Sequence, residues 1–340
     1  MNRPTTWVVC TRLGALAALA GSACLLAGCT SGSAAATPTT PTAYVSTGAG
    51  VANPGNTVAV VDTVTSRVQT PITTGTLPAA LAVTPDGKSV LVTNKGVDTL
   101  SEIDVASGRV VKSVTVGLEP DAVAVTPDGS MALVANFGDN TVTPVSLPSL
   151  RAGRPIAVGK EPVAIAVSPK GTVALVANYQ DGSVSPISLS SLVAGPPVPA
   201  GLEPSALYIT PDGSSALVAD FQTSQVTPIS LATMATAPAV AVGGNPTGIA
   251  GAPSSNVAYV SGGDSVTPFN WQTRQAGSPF TIGTTAEALA IAPGGTTAWV
   301  CGGGGTLVHL NLTTETVLRS VVVGGQPSAV VIAAAGNTSG

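Results

Sequence analysis

Few side chains in these 340 residues are equipped for covalent chemistry. His309, in Thr-Leu-Val-His-Leu-Asn, is the one histidine. Nucleophile–His–acid catalysis needs such a base next to a hydroxyl or thiol and a carboxylate. Cys301 is the one cysteine beyond residue 29, and it sits in the apolar run Ala-Trp-Val-Cys, where a thiol reads as a small buried side chain. One histidine and one thiol do not make a zinc site, although carboxylates alone suit Ca²⁺. The glycines 302–305 lack the following Lys-Ser/Thr and helix of a phosphate-binding loop. No catalytic set, cofactor site or metal site is therefore read from the chain.

Two other sets of residues recur at a fixed spacing. Glu119, Glu161 and Glu203 lie 42 residues apart, and so do Phe137, Tyr179 and Phe221. Asp139 and Asp181 follow the first two rings at the same offset. In a chain that is only 3% aromatic, three rings in step with three glutamates form a candidate ligand-binding set. Carboxylates would supply sign, and rings would supply area or cation–π contact, to a cationic or sugar-like ligand. The alternative is structural: duplicated units whose rings cover their own turns.

The spacing belongs to a repeat. At a period of 42 the chain aligns with itself over 76–117, 118–159, 160–201 and 202–243, and two looser copies cover 244–283 and 284–324. Periods of about 40–45 residues mark propeller blades among repeat folds. Within one unit, Asp-Ala-Val-Ala-Val, Met-Ala-Leu-Val-Ala, Thr-Val-Thr-Pro-Val and Pro-Ile-Ala-Val are short Val-rich runs with period near two. Pro-Asp-Gly at 85–87, 127–129 and 211–213 supplies turns between them. Four short strands per unit make a blade. Residues 43–75 match the last three strands of a blade, and 324–337 match its first, which predicts a seven-bladed all-β propeller over 43–340 whose first blade the C-terminal strand closes. The inner-strand alanines Ala122, Ala124, Ala164, Ala166, Ala288 and Ala290 are expected to line the crowded axis. Pro144, Pro186, Pro228 and Pro268 fall in third strands. Proline donates nothing to a ladder, so bulging there or irregular outer strands are expected.

Leu-Val-Thr-Asn (91–94), Leu-Val-Ala-Asn (133–136 and 175–178), Ala-Tyr-Val-Ser (43–46, and again within 257–261) and the Pro-Asp-Gly turns resemble the YVTN-type repeats of YncE-like, lactonase-related propellers. The resemblance covers about 43–337. It implies the architecture, and relatives of this kind include surface-layer proteins, proposed nucleic-acid binders and sugar-lactone hydrolases. No catalytic residue of such hydrolases matches this chain position by position.

The start of the chain reads as a leader. Arg3 and Arg12 precede an apolar or small run, 13–27, too short for a span of about 20 residues. Leu26-Ala27-Gly28-Cys29 resembles a bacterial lipobox, which implies lipidation of Cys29 and a leader over 1–28; the alternative is an ordinary secretory signal that happens to contain a cysteine. Residues 29–42 read as a Thr/Pro/Ala tether. Without the leader, 11 basic residues face 17 acidic ones, a poor match for nucleic acid. These features describe a lipid-anchored, extracytoplasmic binding or scaffolding propeller with the membrane as one partner and a protein, peptide or carbohydrate as another. A lactonase-like hydrolase is the alternative.

Overall fold

The computed structural model describes residues 40–48, 55–252 and 255–334. Cys29, the leader and the tether up to residue 39 lie outside the described residues. Seven antiparallel sheets follow one another along the chain, and no described residue is helical. Their inner strands pack against each other in a closed ring. This is the seven-bladed propeller that the period predicts.

Blade 3 shows how the sequence makes a unit. Its strands are Pro120–Val125, Met131–Asn136 and Thr141–Ser146, followed by two short outer pieces, Arg151–Ala152 and Ile156–Ala157. Between the first two, Gly129 takes φ 71°, and Thr126 Oγ1 donates to Asp128 Oδ1 at 2.6 Å while Ser130 N donates to the same oxygen at 3.1 Å. The Asp side chain thus copies a backbone turn, which is why Thr-Pro-Asp-Gly recurs. Blade 2 begins at Pro78, and blades 4 to 7 at Pro162, Pro204, Pro246 and Ala286.

Blade 1 is split as expected. Thr42–Ser46 pairs on one side with Thr57–Asp62 and on the other with Ala329–Ala333, with Val45 opposite Val330. Closure leaves no exposed inner edge. The fold starts slightly before residue 43: Thr40 Oγ1 donates to Asp62 Oδ2 at 2.9 Å, and the carbonyl of Pro41 accepts from Thr63 N at 3.1 Å.

The core lies between blades. Seven apolar clusters of described residues each join two neighbouring blades, including blade 7 to blade 1 through Trp299, Leu307, Val45 and Val330. This corrects one expectation. Ala122 and Ala124 pack against Ile165, Ala174 and Val176 of blade 4, and Ala164 and Ala166 against blade 5, instead of facing the axis. Blades stand face to face, so the alternation of a strand sends side chains to its two neighbours. Near the axis, hydroxyls join inner strands: Ser205 Oγ donates to the Pro246 carbonyl at 2.7 Å, and Thr247 Oγ1 to that of Ala286 at 3.0 Å.

The prolines act where expected. Blades 3, 4 and 6 have outer strands broken into two-residue pieces, and blade 5 keeps only Val240–Ala241. Blades 2 and 7 carry Glu102 and His309 at that position and keep continuous outer strands, Arg109–Thr115 and Thr316–Val322. Each proline carbonyl still accepts one bond, for example from Gly153 N to Pro144 O at 2.7 Å.

Candidate functional site

In blades 2 to 7, the turn leading into the inner strand and the turn between the second and third strands lie on one face, called upper here. The Pro-Asp-Gly turns and the turns leading to the outer strands lie on the lower face. A backbone bond holds the two upper turns together in each of three adjacent blades. Phe137 N donates to the Glu119 carbonyl at 3.0 Å, Tyr179 N to that of Glu161 at 2.9 Å, and Phe221 N to that of Glu203 at 2.9 Å. Each glutamate therefore sits beside its own ring. Glu119 and Glu161 adopt left-handed backbone conformations, φ 49° and 53°. Glu119 is exposed, and Glu161, Glu203 and the three rings are half-buried.

The motif Asn has a structural task. Asn136 Oδ1 accepts from Gly117 N at 3.2 Å, and its amide donates to Thr141 Oγ1 at 2.9 Å and Thr143 Oγ1 at 2.8 Å. A Cβ on Gly117 would stand 2.5 Å from Asn136 Nδ2. Blade 2 repeats the pair with Gly75 and Asn94, which bond at 3.0 Å. In blade 5 Asp220 takes the place of Asn and accepts from Leu202 N and Glu203 N. The carboxylates of Asp139 and Asp181 point back into their own blades, accepting from Leu118 N at 2.6 Å and Lys160 N at 2.7 Å. They brace the leading turns and reach the candidate surface only from its margin.

Side chains also run from blade to blade. Tyr179 donates its hydroxyl to Glu203 Oε2 at 2.6 Å. One blade earlier, Lys95 occupies the ring position of blade 2 and reaches into blade 3. Its Nζ lies 3.2 Å from Asp121 Oδ1, 3.6 Å from Glu119 Oε2 and 4.2 Å from the centre of the Phe137 ring. Asp121 is buried, with its side chain only 3% exposed. Burial pushes its carboxyl above the ordinary range, and Lys95 works against that. The sequence reading missed Lys95 and Asp121 as partners. The signal was present: Asp121 is the residue after the inner-strand proline, where blades 2, 4, 5 and 6 carry Ala79, Val163, Ser205 and Thr247.

The remaining chemically able groups sit apart. His309 lies in the middle of blade 7, stacked on Trp299 with ring centroids 4.2 Å apart. Desolvation and nearby Arg319 hold its pKa below the usual value. Cys301 is fully buried, and burial pushes its thiol well up. Among the described residues there is no group of three His, Cys, Asp or Glu able to hold a metal ion, and no helix long and apolar enough to cross a membrane.

Comparison with known proteins agrees with this architecture. The profile of the YncE-like beta-propeller family matches residues 7–136. Over that stretch, which is less than half of the chain, the sequence is similar to YncE-like beta-propellers. No curated protein matches its sequence. Among solved structures, the ring superposes on a functionally unknown protein from Desulfotomaculum acetoxidans with a TM-score of 0.77, at 19% identity over 87% of this chain and 99% of that one. It also superposes on hydrazine synthase from Kuenenia stuttgartiensis, with a TM-score of 0.69 and 19% identity over 74% of this chain and 88% of that one. At that identity the likeness is one of fold.

Proposed function

We propose that this propeller is an extracytoplasmic binding module, held to the membrane through Cys29, whose upper face over blades 3 to 5 takes a cationic partner. The observation that carries the reading is Lys95. The chain's own ammonium group is seated by a ring and two carboxylates of this sector, 4.2 Å from Phe137, 3.6 Å from Glu119 and 3.2 Å from Asp121. Blades 4 and 5 repeat the Glu and ring positions, and there the Tyr179 hydroxyl reaches across to Glu203 Oε2 much as Lys95 reaches Glu119. A partner presenting lysine or arginine side chains, such as a basic peptide segment, fits that chemistry. Exposed cation–π contacts contribute about 0.5–1 kcal/mol each, so several must act together.

The test is a lysine-rich peptide titrated against the full chain and against the triple variant Glu119→Gln, Glu161→Gln, Glu203→Gln. The reading expects affinity to fall at least about tenfold, which is 1.4 kcal/mol, and the salt dependence to weaken. Equal affinity for the two proteins would refute it. Turnover of a sugar-lactone panel by the purified chain would instead favour the hydrolase reading.

A further inference from the structure

The charged groups are divided unequally between the two faces. Besides Glu119, Asp121, Asp139, Glu161, Asp181 and Glu203, the upper turns and strand ends carry Asp98, Asp220, Asp264 and Glu287. These ten carboxylates meet two cations there, Lys95 and Lys160, so the upper end has a net charge of −8. The lower turns balance six cations, Arg67, Lys88, Arg109, Arg151, Lys170 and Arg274, against six carboxylates. All six cations are exposed. Several of the lower carboxylates are tied to their turns, as Asp62 Oδ1 is by the amides of Val64 and Thr65 at 2.9 and 2.8 Å.

The chain also leaves the ring on the lower side. Thr42 pairs with Asp62, the last residue before a lower turn, and with Ala333 at the lower end of the closing strand. Thr40 is fixed to Asp62 at the same end. Eleven peptide steps separate Cys29 from Thr40, a contour of at most about 36–40 Å. Turning the ring over would send that stretch about 10 Å outward past two strands and about 20 Å up the blade, which uses most of its length.

We propose that the ring sits on an anionic membrane surface by its lower face, with the acidic upper face directed away from the lipid. This rests on the Cys29 anchor of the reading above. Two effects point the same way. The attachment reaches the lower face directly, and an anionic leaflet repels the −8 end while it tolerates the charge-balanced lower end. The orientation would present the Glu and ring sector to partners outside the lipid surface.

The test uses the full, lipidated chain in vesicles of phosphatidylcholine and phosphatidylglycerol carrying headgroup nitroxides. Blade 4 offers an exposed site at each end, Lys160 above and Lys170 below. A fluorophore on Lys170→Cys should be quenched several-fold more strongly than one on Lys160→Cys, with Cys301 too buried to label. Equal quenching, stronger quenching of Lys160→Cys, or none in either vesicle-bound protein overturns the orientation while leaving the anchor standing. Failure of the chain to float with the vesicles, or full detergent-phase partitioning of Cys29→Ser, removes the anchor and this orientation with it.

Discussion

The Gly–Asn contact of the repeat makes a quantitative test. Gly117 does not have a positive φ, so Gly117→Ala introduces no backbone strain and acts only through its Cβ. That carbon would stand 2.5 Å from Asn136 Nδ2, 2.6 Å from Asn136 Cγ and 2.5 Å from Asp139 Oδ2. Asn136 is fully buried and makes three bonds, to Gly117 N, Thr141 Oγ1 and Thr143 Oγ1. Displacing its amide loses one or two bonds at about 0.5–1.5 kcal/mol each and leaves a buried polar group short of partners, at about 1–3 kcal/mol. A cost of about 2–4 kcal/mol is expected, or a drop in Tm of roughly 5–10 °C for a ring of this size. Urea unfolding followed by circular dichroism measures it. The decisive quantity is the cycle with Asn136→Ala. Because both changes break the same contact, the double variant should be more stable than the sum of the singles by at least about 1 kcal/mol. Strict additivity, or a Gly117→Ala cost below about 0.5 kcal/mol, would show that the two residues do not brace each other.

Three further outcomes are expected. A chain ending at Gly324 loses the closing strand, including Val330 and Val331, whose burial contributes about 1.5–3 kcal/mol each; it should be insoluble or melt far lower, and an unchanged Tm would mean that the ring closes in another way. Lys95→Met strands the Asp121 carboxylate and should cost about 3–5 kcal/mol at neutral pH, with Lys95→Met/Asp121→Leu recovering most of the loss in the same urea assay. The pKa of His309 is lowered in the fold, so the unfolded chain binds the proton more tightly, and acidification below the unfolded value near 6.5 should remove stability. His309→Gln should flatten the Tm-versus-pH curve over that interval, and an unaltered curve would exclude His309 as its source.

Much of the fold was legible because a repeat reports itself. A fixed period, Pro-Asp-Gly turns and a missing strand restored at the far end give the blade count and the closure without any contact being known. The third-strand prolines likewise announced the broken outer strands of blades 3 to 6, although blade 1, with Val60 at that position, also keeps only Ile72–Thr73 outside. What stayed hidden depends on how blades face each other. The alanines of the inner strands read as axial because smallness suits a crowded axis, yet they pack against neighbouring blades. The Glu and aromatic positions could be placed on one face, but not the reach of Lys95 across to Asp121, 26 residues on. A period aligns equivalent positions and is silent about contacts between unlike ones. The same limit hid the bracing roles of Asp139 and Asp181.

The clasp in blade 1 also has a consequence in time. Val45 meets Val330, 285 positions further along the chain. Contacts of such separation slow folding, because the loop-closure entropy precedes any gain from the contact. Six blades can assemble as their residues appear, since each pairs within its own unit. The ring cannot shut until residues 329–333 are present, so a chain still being synthesised holds an open arc with the second strand of blade 1 unpaired on one side. Ring closure thus waits on the strand at residues 329–333, and a chain that stops before it is left with an edge that pairs with other chains or is degraded.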